Sequence, residues 1–233
     1  MPLINGQPDL LRLWLVMYPG DLQVHINAIN AAGIRSNHTL HHVTEHEYVR
    51  FWGMCIAARQ FSERGKCLWG VEPQGIRAAP NFDQYMAYWR FEVIRRLVKE
   101  ICPSSSLDPW SRFRPLVEEF NANRAKTIHS GGDVTADESI SAYQPRLDKF
   151  GGLPNISFIK RKPKPLGTEF KTMCDTRTGV MKFMEIQEGK DAMRLKPFAF
   201  EFGVTTGCVA RMAAACAPGT TMLGDSWFGN VKV

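Results

Sequence analysis

Val134-Thr135-Ala136-Asp137-Glu138-Ser139-Ile140-Ser141-Ala142 is where the periodicity of the chain changes. Upstream, apolar residues recur every three to four positions. Here Val134, Ala136, Ile140 and Ala142 alternate with Thr135, Asp137, Ser139 and Ser141, the two-residue period of a strand with one apolar face and Asp137 in the middle of the other. Further short strands are predicted over 155–159, 169–174 and 180–186, the last two joined by the hairpin loop Asp175-Thr176-Arg177-Thr178-Gly179. A helix is predicted from Thr205 to Cys216 and is ended by Pro218-Gly219. Thr220-Thr221-Met222-Leu223-Gly224 then reads as a last strand that delivers Asp225 at its carboxyl end. Three antiparallel strands, a helix and a strand able to return beside the first describe the opening half of an RNase H-like sheet, with an acidic residue on each of two adjacent strands.

The region before residue 130 reads as helical. Thr44-x-x-Glu47 is a capping box with Val43 placed as its hydrophobic staple, followed by Tyr48, Trp52, Cys55 and Ile56 at helical spacing. Pro80-Asn81 opens a second predicted helix, in which Phe82, Tyr85, Met86, Trp89, Val93, Ile94, Leu97, Val98 and Ile101 share one face until Cys102-Pro103 stops it. A third is predicted to begin at Asp108-Pro109 and to carry Phe113, Leu116, Val117 and Phe120. Trp14, Trp52, Trp89 and Trp110 lie in these patterns and are expected in the core, whereas Trp227 is expected at the site. The reading is therefore α+β, with a helical region over 1–130 and a partial RNase H-like domain over 131–233.

Composition narrows the function classes. The chain has 233 residues, 44% hydrophobic and 22% charged, which is an ordinary globular balance. No apolar run approaches the ~20 residues of a membrane span, and the apolar stretch 10–18 lacks a basic leader and a cleavage site. The six cysteines include no C-x-x-C pair, so reduced thiols and an intracellular location are expected. Residues 146–196 hold twelve Lys or Arg against six Asp or Glu, which accounts for the whole net charge of +6. At its centre, Lys160-Arg161-Lys162-Pro163-Lys164 has the composition of a phosphate-gripping loop or a nuclear-localisation signal. His38, His41, His42 and His46 contain an i, i+4 pair, but no cysteine joins them and solvated histidines are expected.

Asp137 and Asp225 suit a two-metal phosphoryl-transfer site, in which carboxylates from neighbouring strands hold Mg²⁺ or Mn²⁺. Their surroundings point the same way. Val134-Thr135-Ala136-Asp137-Glu138-Ser139 with Tyr143-Gln144-Pro145-Arg146 resembles the first-aspartate block of the PiggyBac transposases. Leu107 to Leu116 with Phe120-Asn121, Lys162 to Lys171 with Met173-Cys174-Asp175, and Gly224-Asp225-Ser226-Trp227-Phe228 are similar to further blocks of that family in the same order. Pro19-Gly20-Asp21-Leu22, Asn30, Thr44 to Gly53 and Trp69 extend the resemblance towards the start of the chain.

The resemblance implies a DDE/D transposable element-derived protein that cleaves DNA and transfers strands through hairpin intermediates at TTAA sites in the nucleus. Asp137 and Asp225 would be its catalytic metal ligands, Mg²⁺ or Mn²⁺ its cofactor, DNA its partner with Lys160, Arg161, Lys162 and Lys164 in contact, and a homodimer its assembly. It also implies a third acidic ligand and a zinc module, yet no Asp or Glu follows Asp225 in this sequence. Glu138 is not expected to substitute, because neighbouring strand residues point to opposite faces. Asp175 is expected to serve its own turn. Inefficient cleavage is expected from this chain alone. The alternatives are a non-enzymatic DNA-binding or interaction protein and a decayed copy without function. An RNase H-like sheet without its fifth strand and closing helices is further expected to leave one edge and one face uncovered and to make the chain poorly soluble or oligomeric.

Overall fold

A computed structural model describes residues 3–4, 7–36, 41–62, 65–70, 80–102, 108, 110–129, 131–142, 155–160 and 162–229, with residues 3, 4, 7 and 8 as backbone only. In chain order the elements are β1 (Leu3–Ile4), β2 (Gln7–Pro8), α1 (Leu10–Met17), α2 (Leu22–Arg35), α3 (Glu45–Ala57), α4 (Tyr88–Leu97) and α5 (Arg114–Thr127). Then follow β3 (Asp133–Ser141), β4 (Ser157–Phe158), β5 (Leu166–Asp175), β6 (Met181–Ile186), α6 (Lys190–Arg194), α7 (Ala199–Phe202), α8 (Val204–Ala214) and β7 (Thr221–Gly224). Two compact units result, Asp21–Pro103 and the remainder, Met1–Gly20 with Ser104–Val233. The sheet-bearing unit thus takes in the first twenty residues and α5, which the sequence grouped with the helical region.

In the unit 21–103, α2 and α3 begin on side-chain caps. Asp21 accepts from the amides of Gln23 and Val24. Thr44 and Glu47 form the reciprocal capping box read from the sequence, and such a cap contributes about 1 kcal/mol. Val43 is buried and is clamped through its backbone by both ends of the Asn30 amide, at 2.7 and 3.1 Å. Ile26, Ile29, Tyr48, Phe51 and Ile94 form the buried interior. Arg90 is buried among them, and its guanidinium grips the Glu47 carboxylate at 2.9 Å through two nitrogens and donates to the His41 carbonyl. Arg90 in turn holds the Glu47 carboxyl below its ordinary range, with burial opposing.

The long helix expected from residue 82 is broken. A 3-10 turn covers Phe82–Gln84, α4 runs from Tyr88 to Leu97, and a second 3-10 turn covers Val98–Glu100. Asn81 takes a left-handed φ of 41°. The carbonyls of Tyr85 and Met86, which a continuous helix would bond internally, accept instead from Arg50 at 3.1 Å and from the Trp69 indole at 2.6 Å. Trp89, expected in the core, consequently stands 62% exposed, while Trp110 is buried as expected. The third helix starts at Arg114, several residues late, because Asp108 caps a preceding turn by accepting from the Trp110 amide and the Arg114 guanidinium.

In the other unit, β3 pairs antiparallel with β5 from Val134↔Asp175 to Ser141↔Thr168, and β5 pairs antiparallel with β6. β4 pairs with the start of β5 and is shorter than the predicted 155–159. β7 returns parallel to β3, from Asp133↔Thr221 to Ala136↔Gly224. The α+β class and the returning strand expected from the sequence are both found. α8 covers one sheet face, where Val134, Ala136, Met173, Cys208, Met212 and Phe228 form the core; burying each large side chain contributes about 1.5–3 kcal/mol. α5 lies along β6, with both polar atoms of the Asn121 amide bonded to the Met184 backbone at 2.9 Å. Gly167 is required at the far end of the β3–β5 pair, since a Cβ there would lie 2.1 Å from the Ser141 carbonyl oxygen.

Candidate functional site

The parallel pairing of β3 and β7 decides the site. Ala136 is the last residue of β3 opposite β7, and Gly224 is its partner. The next residues, Asp137 and Asp225, therefore emerge side by side, and both are exposed. β7 stops there, so the chain turns across the sheet beside residues 137 and 138. Asp225 fixes this turn itself, accepting from the Trp227 amide at 2.9 Å through its side chain and from the Phe228 amide at 3.0 Å through its carbonyl. Phe228 closes on Gly224 so tightly that a Cβ on that residue would lie 2.8 Å from the Phe228 Cβ.

One carboxylate oxygen from each of Asp137, Glu138 and Asp225 lies within 4.8 Å of the others. This corrects the expectation that Glu138 stays away. Its strand position does put it on the buried face, 7% exposed, but because β7 ends one residue earlier no strand separates it from the 225–228 turn. Three oxygen donors at this spacing are a hard-cation ligand set, fitting Mg²⁺ or Mn²⁺ rather than a soft metal.

The polar partners differ between the three. Asp137 accepts from the Glu138 amide at 2.7 Å, and the Lys162 ammonium lies 3.4 Å from it. Partial burial pushes its carboxyl up, and the amide and the ammonium outweigh that, leaving it below the ordinary carboxylate range. Glu138 pairs at 3.3 Å with Lys171, its cross-strand neighbour on β5, which also meets Glu169 at 2.6 Å. The Lys171 ammonium lies 3.4 Å from the centroid of the Trp227 ring, a cation–π contact that ties the turn bearing Asp225 to the strand beside Asp137. Trp227, expected at the site, is thus in its supporting layer.

Of the basic run, Lys160 and Lys164 are exposed, Arg161 lies outside the described residues, and Lys162 is turned inward onto Asp137. His41, His42 and His46 are exposed, and His38 lies outside the described residues. Asp175 serves its hairpin, as expected. Bonds from the Gly131 amide and from the Thr178 hydroxyl and amide hold its carboxyl at about 2. The sequence reading missed Glu138 and Lys171. Their signal was a charged residue at an apolar-phase position on each of two strands, which pair across the sheet once the register is known. All six cysteines are free thiols, and no described helix is long and apolar enough to cross a membrane.

The chain thus sets two aspartates side by side, Asp137 within β3 and Asp225 just past the end of the parallel strand β7. A family model described as Transposase IS4 matches residues 24–232, and the chain belongs to that family. Among solved structures, the chain is similar to the piggyBac transposase in a cryo-EM synaptic complex with hairpin DNA, with a TM-score of 0.72 and 16% identity. The match covers 94% of this chain and 46% of the transposase, so this chain spans less than half of the protein it resembles in fold. No curated protein matches the chain.

Proposed function

We propose that the chain is a PiggyBac-type, transposable element-derived DNA-binding protein in which Asp137 and Asp225 are metal-ligating catalytic carboxylates of a DDE/D site on an RNase H-like sheet. The observation that carries this reading is the pair of aspartates on neighbouring parallel strands, one position beyond the last paired residues, in a chain of a transposase family. Mg²⁺ or Mn²⁺ bound there would activate an attacking oxygen and stabilise the leaving oxygen of a phosphodiester. Asp137 is oriented by the Glu138 amide, and Asp225 by its own turn. Lys160 and Lys164 are exposed and serve the DNA backbone, with Arg161 completing the basic run. The helical region contributes further DNA contacts and the homodimer interface. The basic run 160–164 serves as a nuclear-localisation signal.

A second reading is favoured by one observation. Glu138, the third carboxylate of the cluster, is committed to Lys171, which leaves two carboxylates to hold metal, and DNA binding without cleavage fits that arrangement. Hairpin and linear duplex DNA, incubated with the full chain in EDTA and then in Mn²⁺, separate the readings. Binding in EDTA with Mn²⁺-dependent nicking that is lost in Asp137→Asn supports the catalytic reading. Binding without nicking supports the second, and absence of binding contradicts both.

A further inference from the structure

Lys162 belongs by sequence to a loop rich in cations, yet it is the one described lysine of that run that does not face solvent. Its side chain is 18% exposed. Its ammonium donates to the Glu138 carbonyl at 2.6 Å and reaches both Asp137 oxygens, at 3.4 and 3.5 Å. The loop that delivers it is anchored, since the Lys162 amide bonds to the Ile159 carbonyl at 3.0 Å. The backbone bond is the shorter contact and fixes the ammonium at the mouth of the carboxylate cluster, where one positive charge already answers Asp137.

We propose that Lys162 is an internal counter-ion of the candidate metal site, competing with a divalent cation for Asp137 and thereby setting the affinity of the site for metal. The inference rests on the metal-ligand reading of Asp137 and Asp225 given above. A divalent ion on Asp137 would lie within about 5 Å of the ammonium, and the repulsion between +2 and +1 at that distance corresponds to on the order of tenfold in affinity even in a medium as polar as water. The lysine must swing away from Asp137 before the ion can sit, and its departure forfeits the Glu138 carbonyl bond as well. Lys171 is not a second competitor for Asp137. It answers Glu138 and Glu169 on the buried face.

The test is Mn²⁺ binding to the full chain, followed by electron paramagnetic resonance of the free ion, for wild type, Lys162→Met, Lys162→Arg, Asp137→Asn and Asp225→Asn, with thermal melts as a check of folding. Lys162→Gln replaces the methionine variant should that one fold poorly. Competition predicts affinity on the order of tenfold tighter in Lys162→Met, near wild type in Lys162→Arg, and lost in both aspartate variants. Equal or weaker binding by Lys162→Met, with the aspartate variants still impaired, overturns this inference and leaves the metal reading intact. Aspartate variants that bind like wild type, or an absence of binding in every variant, overturn the metal reading and this inference together.

Discussion

Lys171→Met should be the most destabilising charge removal in the sheet-bearing unit. Lys171 is 2% exposed, and its ammonium is the shared cation of Glu138 and Glu169, at 3.3 and 2.6 Å, with the Trp227 ring against it at 3.4 Å from the centroid. Methionine matches the stem of lysine but leaves both carboxylates without that cation. Breaking a buried pair by removing one partner costs about 3–5 kcal/mol, and at 2–4 °C per kcal/mol for a chain of this size the melting temperature should fall by about 6–20 °C. Glu138→Gln should cost less, because Lys171 keeps Glu169. The double variant Glu138→Gln/Lys171→Met should lie closer to wild type than the sum of the two single variants.

Thermal and urea melts of wild type, both single variants and the double variant at pH 7 measure these differences. A Lys171→Met protein that melts with wild type, or a double variant whose deficit equals the sum of the two single deficits, would refute the reasoning.

Four other outcomes follow from the packing and the caps. Gly167→Ala should cost about 3 kcal/mol or more, because overpacking here meets the Ser141 backbone rather than a movable side chain; a thermal melt within 2 °C of wild type, roughly the shift of 1 kcal/mol, contradicts it. Thr44→Ala should remove about 1 kcal/mol from the helical unit by opening the capping box, read by helical circular dichroism in urea. Asp175 has a folded-state pKa of about 2 against an ordinary 3.8, so its contribution is present above the unfolded value and is lost as pH falls from about 4 to 2. Asp175→Asn should flatten that part of the acid-denaturation curve. Lys160→Ala and Lys164→Ala should each weaken DNA binding without regard to sequence and reduce the salt slope by about one, as fluorescence anisotropy over a salt series would show.

What the sequence revealed and what it concealed divide along a physical line. Features written in local chemistry were legible. The alternation around Asp137 gave β3, the Thr178-Gly179 loop end gave the β5–β6 hairpin, and Pro218-Gly219 separated α8 from β7. The adjacency of Asp137 and Asp225 followed once β7 was allowed to return beside β3. Features set by distant partners were not legible. The apolar stripe through Phe82 to Ile101 is helical in phase, but Arg50 and Trp69 take the Tyr85 and Met86 carbonyls and break it. Strand alternation correctly put Glu138 on the buried face, yet only the stopping point of β7 lets its carboxylate approach Asp225. Lys162 sits in a stretch whose composition reads as a phosphate-gripping loop or a nuclear-localisation signal, and nothing in that composition distinguishes it from Lys160 or Lys164.

The two aspartates as a metal-holding pair are the central claim, and Mn²⁺ anomalous diffraction from crystals of the full chain tests it most directly. Mn²⁺ held by both aspartates should give an anomalous peak within bonding distance of a carboxylate oxygen of Asp137 and of Asp225, with the Lys162 ammonium displaced from Asp137. A crystal in Mn²⁺ with no peak at these residues, or with Mn²⁺ bound elsewhere and Lys162 still on Asp137, would contradict it.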